Sequence, residues 1–155
     1  EYSDHRRGYR GIDEEIEIRQ GTTVHGPQST VTELKQKMAF KFEKLKVWKL
    51  SLELADEVDL LAQSFPKYEL YSLSSQIRRA ANSVSLNIVE GSTGLSNAEF
   101  KRFLSIANRS ALEVVGCLYL AKRRGYVDED KFTFLYSSIE NLVKMVQALI
   151  NTLKD

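Results

Sequence analysis

Two glutamates and a scattered set of cations are the residues in this chain whose type and spacing could do chemistry. Glu90 and Glu113 could serve as a general acid–base pair. The cations fall into three groups, Arg78-Arg79, Lys101-Arg102 with Arg109, and Lys122-Arg123-Arg124. Such groups can track the phosphates of a nucleic acid if they share a surface. Each also has a plainer reading. The glutamates could pair with arginines inside a folded domain, and Lys122–Arg124 would complement a helix C-terminus. The expected nucleic-acid contacts are Arg78, Lys101, Arg102, Lys122, Arg123 and Arg124. Gln76, Arg79, Asn87, Glu90, Arg109 and Glu113 are expected to form a structural polar network. In it Arg79 would reach Glu113, and Arg109 would reach Glu90 or Asn87. Removing one partner of a buried ion pair costs about 3–5 kcal/mol, so such a network would mainly fix register.

Signatures of enzymes are missing from the sequence. It holds no P-loop, no Gly-x-Gly-x-x-Gly, no Gly-x-Ser-x-Gly and no His-Glu-x-x-His. Gly91-Ser92-Thr93-Gly94 follows a helical pattern, whereas a phosphate-binding loop should follow a strand. The only histidines are His5 and His25, so a di-iron bundle site built on Glu-x-x-His pairs has no ligands. Cys117 is the single cysteine, which excludes an intrachain disulfide and points to a buried structural thiol. No catalytic residue, metal or cofactor is therefore expected.

The elements that must position these residues read clearly from about Lys44 onward. Trp48, Leu52, Ala55, Val58 and Ala62 mark one stripe of a first helix, widened by Val47, Leu50, Leu54, Leu61 and Phe65. Pro66 ends it. Leu73, Ile77, Ala80/Ala81, Val84 and Ile88 recur at steps of three and four, and their helix closes near Gly91 and Gly94. Ser96 with Glu99 makes a capping box for a third helix. Its core stripe is Phe100, Phe103/Leu104, Ala107, Ala111, Val114, Leu118 and Ala121, and Gly125 stops it. Arg102, Arg109, Glu113 and Gly116 run beside that stripe, with Gly116 expected to permit close helix approach. Asp128 caps a fourth helix carrying the seam Phe132, Leu135, Ile139, Leu142, Val146, Leu149 and Leu153. Short turns between four such helices predict an all-α, antiparallel, up-down-up-down four-helix bundle.

Residues 1–37 read as a separate, atypical N-terminal segment, and 38–155 as the bundle domain. The first 37 hold four of the eight glycines and one of the two prolines. Glu15–Arg19 alternates like a strand and could pair back with Thr22–Val24. Met38 would suit a natural start, the upstream part being a fusion or read-through; a native extension is the rival reading. Residues 38–155 carry 16 Lys/Arg against 14 Asp/Glu, so net charge alone names no partner. Acids gather in the first helix and at Asp128-Glu129-Asp130, so the charge is segregated. No uninterrupted apolar run approaches the roughly 18 residues of a membrane span. The expected setting is the cytoplasm, away from membranes.

Several stretches resemble a known family. They are Phe42–Trp48, Phe65–Ala80 with its Gln76-Ile77-Arg78-Arg79-Ala80, and Asn87-Ile88-Val89-Glu90-Gly91, continued by Phe103–Ala107, Ser110 and Gly125-Tyr126. From about Met38 to Asp155 the chain resembles the bacterial four-helix-bundle proteins encoded by 23S ribosomal RNA intervening sequences, also called the S23 ribosomal protein family. The resemblance implies a homopentameric ring. It also implies similarity to accessory variability proteins of diversity-generating retroelements, which bind nucleic acid and a reverse transcriptase. Val89 and Asn108-Arg109 depart mildly from the family pattern. Three functional classes follow: an oligomer contacting RNA or DNA, an oligomeric adaptor for a protein partner, and an enzyme using Glu90 and Glu113. The first is the expectation and the last the weakest.

Overall fold

The computed structural model describes residues 40–94 and 96–154. The expected hairpin and start site in the N-terminal segment lie outside them. Four α-helices and two single 3-10 turns make up the regular structure of the described residues, with no strand. The helices are α1 Lys46–Gln63, α2 Leu73–Ser92, α3 Asn97–Arg123 and α4 Glu129–Thr152. Each packs against the next and α4 returns to α1, whereas α1 and α3, like α2 and α4, are diagonal and do not meet. The chain is thus a four-helix bundle with one shared core.

Local chemistry sets the helix ends. Ser96 Oγ accepts from Glu99 N at 3.2 Å and Asp128 Oδ1 from Lys131 N at 2.7 Å, as the caps in the sequence predict. At the end of α3, Gly125 takes φ 76°. Its N–H reaches Lys122 O at 3.0 Å, and Tyr126 N reaches Ala121 O at 2.9 Å, which is a Schellman stop. The helix α2 closes at Ser92, between Gly91 and Gly94 as expected, and Gly91 lies inside its last turn. It lets α3 come close, since a Cβ there would lie 2.6 Å from Phe103 Cβ. Gly116, expected in that role, is exposed with nothing within 4 Å of an added Cβ.

The core stripes of α2, α3 and α4 follow the sequence periodicity. Ile77, Val84, Ile88, Leu104, Leu118, Leu135, Ile139 and Leu142 are fully buried at its centre. On α1 the buried line is Val47, Ser51, Leu54, Val58, Leu61 and Ala62, while Leu52 faces outward. Ser51 can occupy the core because its hydroxyl donates to Trp48 O at 2.6 Å, satisfying itself locally. A polar residue on the true core line therefore displaced the apparent one. Cys117 is buried, and burial first, then the nearby Glu113 charge, pushes its thiol pKa up. Long and apolar over an 18-residue window (mean hydropathy 1.2), α3 meets the length-and-composition test for a membrane span. Its residues Leu104, Ala107, Ala111, Val114, Cys117, Leu118 and Ala121 are buried in the bundle core.

Candidate nucleic-acid interface

The two polar turns at one end of the bundle claim several of the cations. Glu69, in the 3-10 turn Lys67–Glu69, is buried beside the Schellman stop of α3. Its carboxylate accepts from the Ser72 hydroxyl, from Leu73 N at 3.3 Å and from Tyr126 Oη at 3.2 Å. Arg124 Nη1 sits 2.7 Å from Glu69 Oε1. The Ser72 hydrogen bond is the largest influence, and it outweighs burial to hold the Glu69 carboxyl below the usual glutamate range. Tyr126 in turn shares a hydrogen bond with Tyr68 at 2.8 Å, which is the main reason its phenol is pushed up to about 12. Arg124 is thus a structural tie between the α1–α2 and α3–α4 turns.

Two more of the expected contacts are similarly engaged. Arg78 Nε lies 2.7 Å from Asp59 Oδ1, joining α2 to α1. The contact is an ion pair without hydrogen-bond alignment, because the buried Nε has no hydrogen-bond partner. Lys122 Nζ is 2.7 Å from Glu129 Oε2 and 4.2 Å from the Phe132 ring centroid. Lys101 is half-buried near the start of α3.

Arg102 and Arg123 are exposed and belong together with a residue assigned above to the internal network. Arg102, Arg109, Gly116 and Arg123 are all exposed and stand seven residues apart along α3. That spacing places them in one column, about 10.5 Å per step. Among the described residues none of the three arginines forms an ion pair; Arg102 lies over the Phe103 ring at 5.6 Å. The line through Arg102, Arg109 and Gly116 was legible in the sequence; Arg123 was left off it because it was grouped with its neighbours Lys122 and Arg124.

The polar line between α2 and α3 is built differently from the expectation. Ser110 Oγ donates to Ser83 Oγ at 3.0 Å, and Asn87 Nδ2 donates to the same hydroxyl at 3.0 Å. Gln76 Nε2 reaches Glu113 Oε1 at 3.5 Å, at the limit of a hydrogen bond. The expected pairs of Arg79 with Glu113 and of Arg109 with Glu90 or Asn87 are not formed. Small hydroxyls at the contact draw the helices together, and Arg79, Arg109 and Glu90 remain exposed at its edges. Glu90 and Glu113 are in no mutual contact and neither lies in an enclosed site. Among the described residues no three His, Cys, Asp or Glu side chains cluster closely enough to hold a metal ion.

Comparison with known proteins gives this arrangement its place. A crystal structure of a protein with unknown function from the S23 ribosomal protein family of Bacteroides thetaiotaomicron superposes with a TM-score of 0.64 and 27% sequence identity. The match covers 68% of this chain and 99% of that one. No curated protein sequence is significantly similar. The family model for the 23S rRNA-intervening sequence protein matches residues 43–148, from the first 3-10 turn into the last turns of α4. The chain belongs to the family of 23S rRNA-intervening sequence proteins.

Proposed function

We propose that this is a non-enzymatic, oligomeric, cytoplasmic four-helix-bundle protein that contacts RNA or DNA through the outer face of α3. The observation that carries the reading is the column of Arg102, Arg109 and Arg123, exposed and without acidic partners. Four other cations are paired across elements, Arg78 with Asp59, Arg124 with Glu69, Lys122 with Glu129 and Lys131 with Glu57. Leaving three guanidiniums unpaired in one line supports a polyanion as the partner. Assembly is supported by exposed Leu52 and Leu60 on α1, diagonal to α3. Copies joined through that side would keep the arginine columns open. One observation favours a second reading, an adaptor for a protein partner such as a reverse transcriptase. Leu112, Tyr119 and Leu120 flank the column and are 59%, 54% and 46% exposed, and phosphates have no use for such side chains.

A salt titration of binding to structured RNA tests the proposal, with solution mass measured by light scattering alongside. Three phosphate contacts should give a logarithmic salt slope of roughly 2–3. The triple substitution Arg102→Glu, Arg109→Glu, Arg123→Glu should abolish binding and leave the melting temperature unchanged. Absence of binding at low salt by an intact oligomer would sink the nucleic-acid reading in favour of the adaptor.

A further inference from the structure

Beside the arginine column, α2 and α3 flank an open polar groove of about 490 Å³, a volume within the usual range of ligand sites. Tyr71, Ser75, Gln76 and Arg79 line its α2 side, and Glu113 lines its α3 side. We infer that this groove holds one unpaired nucleobase, with guanine preferred over uracil. The inference rests on the nucleic-acid reading above and specifies what part of the nucleic acid is recognised.

Four features carry it. Tyr71 stands just before α2 with 93% of its surface in water. Among the described residues its ring pairs with no other ring, so both faces are free to stack on a base. Glu113 is exposed, its Oε1 lies 3.5 Å from Gln76 Nε2, and among the described residues its Oε2 has no hydrogen-bond partner. A carboxylate suits the guanine edge, where N1–H and the N2 amine point in parallel and both donate. Uracil presents one N–H between two carbonyl oxygens, and those oxygens repel a carboxylate. Arg79 is exposed in the same groove and free to meet a phosphate. Finally, Glu113 lies four residues after Arg109 and three before Gly116. A strand whose phosphates follow the column therefore passes the mouth of the groove, over a position where no side chain stands in the way. Base pairing would occupy the guanine edge, so the recognised nucleotide is unpaired.

Fluorescence anisotropy with two labelled single-stranded RNA heptamers, all-uridine and the same with one central guanine, tests this on the full chain. The guanine heptamer should bind roughly ten-fold tighter, in line with one bidentate edge contact. Glu113→Gln should erase that ratio without moving the melting temperature. Tyr71→Ala should weaken both heptamers, and Tyr71→Phe should restore them. Equal affinity for the two heptamers, or a preference that survives Glu113→Gln, overturns the groove assignment while leaving the arginine column standing. If neither heptamer nor structured RNA binds at low salt, the nucleic-acid reading itself falls. Equal binding of the guanine heptamer and its duplex also overturns the proposal, because the duplex hides the edge that Glu113 would read.

Discussion

A methyl group added at Gly91 would lie 2.6 Å from Phe103 Cβ and 2.8 Å from Phe100 Cδ2. The nearer atom is anchored to the α3 backbone and cannot swing aside, so Gly91→Ala should cost about 1–3 kcal/mol through overpacking. Gly116→Ala should do the opposite. Nothing stands within 4 Å of the new methyl, and a helix gains about 0.8–1.0 kcal/mol when alanine replaces an exposed glycine. Thermal melts of the two variants should therefore shift in opposite directions. A glycine at helical spacing does not by itself say which neighbour it faces, which is why Gly116 looked like the close-approach residue and Gly91 only like part of a helix end. Cys117, in contrast, was readable as a buried thiol because it falls within the apolar pattern of α3. Tyr71 carried no such signal. It reads as an ordinary turn residue until its exposure and its place beside Arg79 are visible.

Among the elements, the helices were far more legible than the turns that join them. The three-and-four spacing of α4 and the caps at Ser96 and Asp128 depend on neighbours within a few residues, and all of them appear where the pattern places them. Only α1 shifted, because Ser51 broke its apolar line. The turn holding Glu69 could not be read in this way. Its partners Arg124 and Tyr126 are 55 and 57 residues away, so no local spacing announces them. The cluster has a pH signature. An unfolded glutamate titrates near 4.3 on average. The Glu69 carboxyl is held lower in the fold. Its stabilisation is therefore present above the unfolded value and is lost as pH falls through the folded one. The Tyr126 phenol behaves in the reverse sense, since the fold favours its neutral form. Its contribution is complete below the unfolded value near 10 and disappears as pH rises toward about 12. Urea midpoints measured across pH should show both limbs. Glu69→Gln should flatten the acid limb, and Tyr126→Phe the alkaline one.

At the scale of the whole molecule, the division between structural and available charge is spatial. Arg78, Lys122, Arg124 and Lys131 tie one element to another, whereas among the described residues the three arginines on the outer column of α3 form no ion pair. Sequence alone gave equal standing to both sets. The family match accounts for the bundle but leaves the roles of these cations to experiment. The tie between Glu69, Arg124 and Tyr126 has one further consequence, and it concerns the order of events as the chain folds. It joins the α1–α2 turn to the α3–α4 turn, so it can close only after both helical hairpins have formed and docked. Interactions made after the rate-limiting barrier leave refolding speed alone and act on escape from the native state. Stopped-flow measurements on Glu69→Gln should show a refolding rate like that of the parent and a faster unfolding rate. The tie would then work as a latch, setting how long the bundle stays closed and not how quickly it assembles.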